Sequence, residues 1–326
     1  MEMTYSDNAI NVMAARIYKG IGRAWIVKNL STPKPVDTIV RLLNESSRLD
    51  SKVTIDDFNK KKATLHRIIA ESPGVIDGVV AIGDDNFPPH RGLVKNREQP
   101  IFLFYRGDLS LLSANSRNVA VIGLLNPSKE IETVERKLVS GLVTSGAVIV
   151  SGLALGCDTI AHQQALASNG KTVAILPSPL SDIIPAKNKD LANDIVASGG
   201  LLISEYLTAP KSKMELSGRY QERDRLQALF SDSIVLSASY AKNDVGNDSG
   251  SRLAMGYAKD YLIPRAVIYD QEQHLDNPMF DLNRQIIQEE PSVAIFNEKN
   301  SNSALSKIIR SNPVAVERNP VQQIMI

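Results

Sequence analysis

From about residue 118 onward, short and nearly continuous apolar runs alternate with amphipathic stretches. The runs are Val119–Gly123, Ala147–Ser151, Thr172–Leu176, Leu201–Ser204, Ile234–Leu236 and Arg265–Tyr269. Stretches with helical spacing of apolar residues separate most of them: Glu130–Ser145, Thr159–Ser168, Lys189–Ser198, Arg223–Phe230 and Ser251–Tyr261. Apolar strands alternating with helices predict an α/β fold with a parallel sheet covered on both faces. Residues 1–72 read differently, as helical and free of strands, with candidates at Ala9–Tyr18, Arg23–Leu30, Pro35–Asn44 and Ile55–Glu71. Between them and the sheet lies an extension and linker, residues 73–117. It carries two short strands, Val79–Ile82 and Ile101–Tyr105, and a linker near Ser110–Ser116. The α/β part spans 118–297 and closes on a weak helix and the apolar run Val293–Phe296. A polar tail, 298–326, is expected to be loosely ordered.

The most informative segment is Val148–His162. Its strand stops at Ser151-Gly152, a small-residue turn runs to Gly156, and a helix opens near Asp158. Strand, glycine turn and helix N-terminus together present backbone N–H groups to a phosphate. A second copy lies upstream, where Val119–Gly123 leads through Asn126 to the helix at Lys129. Neighbouring parallel strands would set the two turns side by side, so Gly123, Asn126, Ser151, Gly152 and Gly156 are candidate phosphate contacts. The same small residues also suit close strand–helix packing, and Asp158 suits an N-cap. Arg219, Arg223 and Arg225, with Lys211 and Lys213 nearby, form the densest basic stretch of this part. Tyr206 and Tyr220 could supply stacking surfaces for a single strand; alternatively Glu215, Glu222 and Asp224 offset the charge on a solvated loop. Ser249-Gly250-Ser251 reads as an anion nest or a helix cap. Gly20-Ile21-Gly22, flanked by Lys19, Arg23 and Lys28, reads as a helix-hairpin-helix turn on a DNA phosphate or as a plain connection. Lys60–Lys62 reads as a solvated helix face.

Composition narrows the function classes. The chain has 326 residues and a formal charge of +1, so any polyanion site must be local rather than a global basic field. One cysteine, Cys157, excludes a disulfide framework and fits a reducing cytoplasm. The polar, acidic N-terminus is unlike a signal peptide, and no apolar run approaches the roughly 20 residues that span a bilayer. With four histidines and one cysteine scattered, no metal site, cofactor motif or nucleophile–base–acid set emerges. His162 follows a buried helical pattern. The expectation is a cytoplasmic binding protein, not an enzyme.

The motif order resembles one family. The relevant stretches are Val121–Leu125, Ser151–Asp158 with Ala161-His162, Gly170–Leu176, Pro185 with Asn188 and Leu191, Gly200–Glu205, Arg223-Asp224-Arg225 and Ser249–Ser251, with Phe87-Pro88 and Pro100–Gly107 upstream. In this order they resemble the DNA-processing protein A (DprA/Smf) family. The resemblance implies a Rossmann-like sheet preceded by a small helix-hairpin-helix or SAM-like domain. It also implies a non-catalytic protein that binds single-stranded DNA, loads a RecA-type recombinase and forms a homodimer. Departures fall in the binding turns: Leu124 and Leu125 stand where the family has serine and arginine, Leu155 where it has arginine, and Ala254 where it has threonine. The apolar replacements suit an alternative ligand, a small nucleotide sensed in a defence or signalling module. A nucleotide N-glycosidic hydrolase is the third reading. It needs a positioned carboxylate, for which Glu205 and Asp158 are candidates.

Overall fold

A computed structural model describes residues 4–47, 49, 51–71, 75–242 and 249–313. In chain order the elements begin β1 (Thr4–Tyr5), α1 (Asp7–Arg16), α2 (Arg23–Asn29), α3 (Val36–Asn44), α4 (Ile55–Ala70), β2 (Gly78–Ala81) and β3 (Phe102–Gly107). The alternating part follows as β4 (Asn118–Ile122), α5 (Lys129–Thr144), β5 (Val148–Ser151), α6 (Cys157–Ala167), β6 (Thr172–Leu176), α7 (Lys189–Ala197) and β7 (Leu201–Ser204). It continues with α8 (Lys213–Leu229), β8 (Ser233–Leu236), α9 (Ser249–Asp260), β9 (Arg265–Ile268), α10 (Gln271–His274), α11 (Asp281–Glu289), β10 (Ala294–Phe296) and α12 (Ser301–Arg310). The fold is α/β, as the alternation predicts.

The described strands form one ten-stranded sheet in the order β1-β2-β3-β7-β6-β5-β4-β8-β9-β10. From β7 across to β10 every pairing is parallel. Each of β4 to β9 is buried along its whole length, which explains why these strands read as unbroken apolar runs. β3 is antiparallel to both β2 and β7, whereas β1 pairs parallel with β2. From β4 the chain first builds one side of the sheet through β5, β6 and β7, then returns to build the other through β8, β9 and β10. The crevice outside the carboxyl ends of β4 and β8 is therefore a topological switch point, where open α/β sheets hold ligands.

Four expectations are corrected. The first 72 residues do contain a strand, β1, too short to show alternation. Ser110–Ser116 is no free linker, because a 3₁₀ turn at Leu109–Leu112 buries Leu111 and Leu112. The polar stretch after Glu298 folds as α12, whose Ala304 and Ile308 pack into the core beside Val119 and Phe296. Helix α8 begins at Lys213 rather than Arg223. Its first turns are polar and invisible to apolar periodicity, but Ser212 caps Glu215 N at 3.1 Å and Arg219 pairs with Glu215. The boundary expected at residue 72 and the tail from residue 314 lie outside the described residues. No helix among the described residues is long and apolar enough to cross a membrane.

Helices α1 to α4 share one apolar cluster with the sheet. Ile10, Ile26 and Phe58 belong to the same buried group as Phe104, Ala174 and Leu202.

Candidate functional site

A cavity of about 430 Å³ opens at the switch point. Its walls come from five segments that the sequence singled out: Gly123 and Leu125 after β4, Ala154, Leu155 and Asp158 after β5, Pro185 after β6, Tyr220 to Gln227 on α8, and Gly250 and Ser251 at the start of α9. The volume is that of a typical small-ligand site. Asn126 is exposed beside the cavity and is not part of its lining. The side chain of Ser249 and residues 243–248 lie outside the described residues.

The second turn is held by its own polar groups. Gly156 has φ +74°, and a Cβ there would overlap the carbonyls of Leu124 and Leu125, so only glycine fits. Asp158 does not cap its own helix as expected. Its carboxylate reaches back to accept from Gly152 N at 3.1 Å and Ala154 N at 3.2 Å. The Gly152 amide, read as a phosphate donor, is thus already engaged. The Ser151 hydroxyl, also read as a phosphate donor, donates to Val121 O at 2.7 Å and ties β5 to β4. Asn188 donates to Leu153 O at 2.8 Å and to Thr159 Oγ1 at 2.8 Å, closing the turn from the far side. Ser251 Oγ donates to Gly123 O at 3.1 Å, so the first turn and α9 are joined.

The three arginines of α8 have three different fates. Arg225 is almost wholly buried, bidentate on Glu205 at 2.8 and 2.7 Å, and donates further to Glu98 O at 2.8 Å. Arg219 is clamped to Glu215 at 2.6 Å and Thr208 O at 2.7 Å, with its guanidinium 4.2 Å from the centre of the Tyr206 ring. Neither presents a free cation to a groove, which corrects the reading of a basic binding stretch. Arg223 alone lines the cavity. Its guanidinium lies against Gly152, where any Cβ would collide with it. Nη1 stands 3.4 Å from Asp224 and 3.7 Å from Asp158, and Nε has no hydrogen-bond partner. Burial raises the Asp158 pKa, with Arg223 the main opposing charge.

On the N-terminal helices, Lys19 and Gly20 are exposed and Gly20 takes a left-handed φ of 85°. Gly22 caps α2 through backbone conformation alone. Arg23 turns inward instead, to Glu222 at 2.6 Å and Glu205 at 3.3 Å. Glu205 consequently serves two guanidiniums. Burial would raise its pKa, but Arg225 and Arg23 outweigh that and hold the carboxyl below its usual range. Both of the guanidiniums that Glu205 pairs with engage its carboxylate, which weakens the hydrolase reading.

Two polar features escaped the sequence reading. Gln227 donates to Asp224 at 3.1 Å while its buried Oε1 has no partner. Glu135 lies on the inner face of α5, fully buried beside the Cys157 thiol and Ser237 hydroxyl. Burial pushes its pKa to about 8, against the opposing influence of those two polar neighbours. Its signal was present, since Glu135 falls on the stripe formed by Ile131, Leu138 and Leu142. His162 is also buried. Thr172 Oγ1 donates to Ile149 O and so accepts from His162 Nδ1 at 2.7 Å; burial, then Arg223, lower the His162 pKa to about 3. No cluster suited to a metal occurs among the described residues.

The family model for DNA recombination-mediator protein A matches residues 78–302. The Smf protein of Synechocystis is 32% identical over 164 residues, 50% of this chain and 39% of the relative. The DNA processing protein DprA of Streptococcus pneumoniae is 33% identical over 189 residues, 58% of this chain and 63% of the relative. The chain thus spans between 39% and 63% of these two proteins. Among solved structures, DprA from Streptococcus pneumoniae shares the fold with a TM-score of 0.70 at 22% identity, covering 94% of this chain and 99% of that one. DNA processing protein A from Helicobacter pylori, solved for its single-stranded DNA binding mode, gives 0.53 at 28% identity, covering 68% of this chain and 99% of that one.

Proposed function

The chain belongs to the DNA recombination-mediator protein A family, and on that premise we propose that it binds single-stranded DNA in DNA processing and recombination. The observation that carries this reading is the cavity between β4 and β8, assembled from the turns that bear the family's motifs. The single-stranded DNA binding of the Helicobacter pylori relative supports it. In this reading Gly123, Gly250 and Ser251 border the strand and Arg223 is the cation nearest to it. Ser151, Gly152 and Gly156 hold the turns in place, and Arg219 and Arg225 hold α8. Asn126 at the exposed edge, and Lys19, Gly20 and Gly22 with neighbouring Arg23, offer further contacts. The finer reading is a cytoplasmic homodimer that passes the strand to a RecA-type recombinase and performs no chemical step itself.

The test is fluorescence anisotropy of a labelled single-stranded oligonucleotide, with wild type beside Arg223→Ala and Lys19→Glu. A few phosphate contacts predict affinity falling by about tenfold or more between about 50 and 200 mM salt, and both variants should bind more weakly. Binding that ignores salt, or no binding at all, would sink the reading. The exposed leucines at the cavity mouth, Leu125 and Leu155, favour a second reading, a small-nucleotide sensor. A nucleotide that raises Tm in a protein indifferent to DNA would select it.

A further inference from the structure

Two ion-paired sets meet on α8. Within the cavity lining, Arg223 stands between Asp158 and Asp224, one guanidinium to two carboxylates. Outside the lining, Arg225 holds Glu205 at 2.7 Å and lies 3.9 Å from Glu222. Drawn from the sheet and α8 alone, this second set also has two carboxylates for one guanidinium. Its fourth member comes from the N-terminal helices. Arg23, the first residue of α2, reaches Glu222 at 2.6 Å and Glu205 at 3.3 Å. Glu205 is deeply buried and already bidentate on Arg225, whereas the Glu222 side chain is 44% exposed and has Arg23 as its nearer cation. Glu222 also sits between Gln221 and Arg223, both in the lining. Consecutive Cα atoms are about 3.8 Å apart, so its charge falls within the ~10 Å that 0.1 M salt leaves unscreened.

From this arrangement we infer that Arg23 completes the charge of the strand-binding face from outside it, by cancelling Glu222. This rests on the single-stranded DNA reading and adds to it a positioning residue, one that acts on the strand through another side chain. With Arg23, the two sets hold four carboxylates (Asp158, Asp224, Glu205 and Glu222) and three guanidiniums; without it, four and two. A chain of formal charge +1 has no general positive field to offset the difference. Uncancelled, Glu222 repels each phosphate that approaches the cavity mouth. The N-terminal helices therefore belong to the binding unit even where they touch no nucleotide.

The experiment measures the affinity of the full chain for a labelled single-stranded oligonucleotide in Arg23→Gln, in Glu222→Gln and in the two combined, with the Tm of each recorded. One uncancelled charge at about 10 Å predicts that Arg23→Gln binds about threefold to tenfold more weakly at about 50 mM salt, and that the loss shrinks at about 200 mM. Glu222→Gln should bind at least as tightly as wild type. The combined variant, its charge balanced again, should match wild type although the pair itself is gone. If Glu222→Gln weakens binding as much as Arg23→Gln does, the pair is a mechanical tie and the inference is overturned. If the combined variant stays as weak as Arg23→Gln, Arg23 touches the strand directly, and the inference is overturned in that way instead. An unchanged affinity in Arg23→Gln overturns it too. Should Arg23→Gln lose its fold, Glu222→Gln decides alone, tighter binding upholding the inference and equal or weaker binding overturning it. In each of these cases single-stranded DNA binding still stands; a wild type that binds no strand refutes that reading and this inference with it.

Discussion

Replacing Glu135 by glutamine gives the sharpest test of how the sheet end is held together. Its carboxyl is buried beneath the first turn, among the Cys157 thiol and Ser237 hydroxyl, and its pKa is raised from 4.5 to about 8. In the unfolded chain the same group ionises near its ordinary value. Between about pH 4.5 and 8 the native state therefore holds a proton that the unfolded state has released. Stability contributed by this site is largest below pH 4.5 and declines as pH rises through that window. A raise of this size corresponds to about 5 kcal/mol across the whole window, at 1.36 kcal/mol per pKa unit. Glutamine mimics the protonated acid and does not titrate. Glu135→Gln should consequently match wild type near pH 4.5 and exceed it progressively, by up to about 5 kcal/mol, near pH 8. Urea unfolding followed through Trp25, the only tryptophan, over this pH range supplies the two curves. Other titrating groups act on both proteins and cancel in the difference. Parallel curves would mean that Glu135 is ionised in the folded protein, and the burial argument would fail.

Other substitutions separate structural arginines from binding ones. Arg225→Ala leaves the buried Glu205 with only the longer Arg23 contact and should cost about 3 kcal/mol by chemical denaturation, whereas Arg225→Met with Glu205→Leu should recover much of that loss; an unchanged Cm for Arg225→Ala would refute the buried pair. Gly156→Ala forces a side chain into left-handed backbone and into two carbonyl oxygens, so it should lower stability by at least about 1–3 kcal/mol, read as a fall in Tm. A neutral outcome would mean that the turn can relax around a methyl group.

The sheet was legible because its strands are buried on both faces and therefore read as apolar runs, Val119–Gly123 and Thr172–Leu176 among them. Parts of the site were legible for a similar reason: Gly156 and Gly123 mark close approaches that leave no room for a side chain. What could not be read was pairing across the chain. Nothing in the local sequence of Arg225 tells that Glu205 would neutralise it, nor that Asp158 would fold back onto Gly152 and occupy its amide. The early turns of α8 stayed hidden because their stability comes from a cap and an ion pair, not from an apolar face. Glu135 was visible in principle as a charge on an apolar stripe, where burial outweighs the residue's usual preference for water.

The apolar layer common to α1–α4 and the strands has a consequence for how this protein could have been assembled over time. A segment with its own core can be lost, duplicated or exchanged with little effect on its neighbour. Here Phe58 and Ile10 share their packing with Phe104, Ala174 and Leu202, and Arg23 is locked to Glu205 and Glu222 on the other side of the seam. Shuffling the helices alone would bare one face of the sheet and remove the Arg23 partner of Glu205 and Glu222. A substitution on either side of this seam is therefore felt on the other, and the helices and the sheet that they cover are coupled residue against residue.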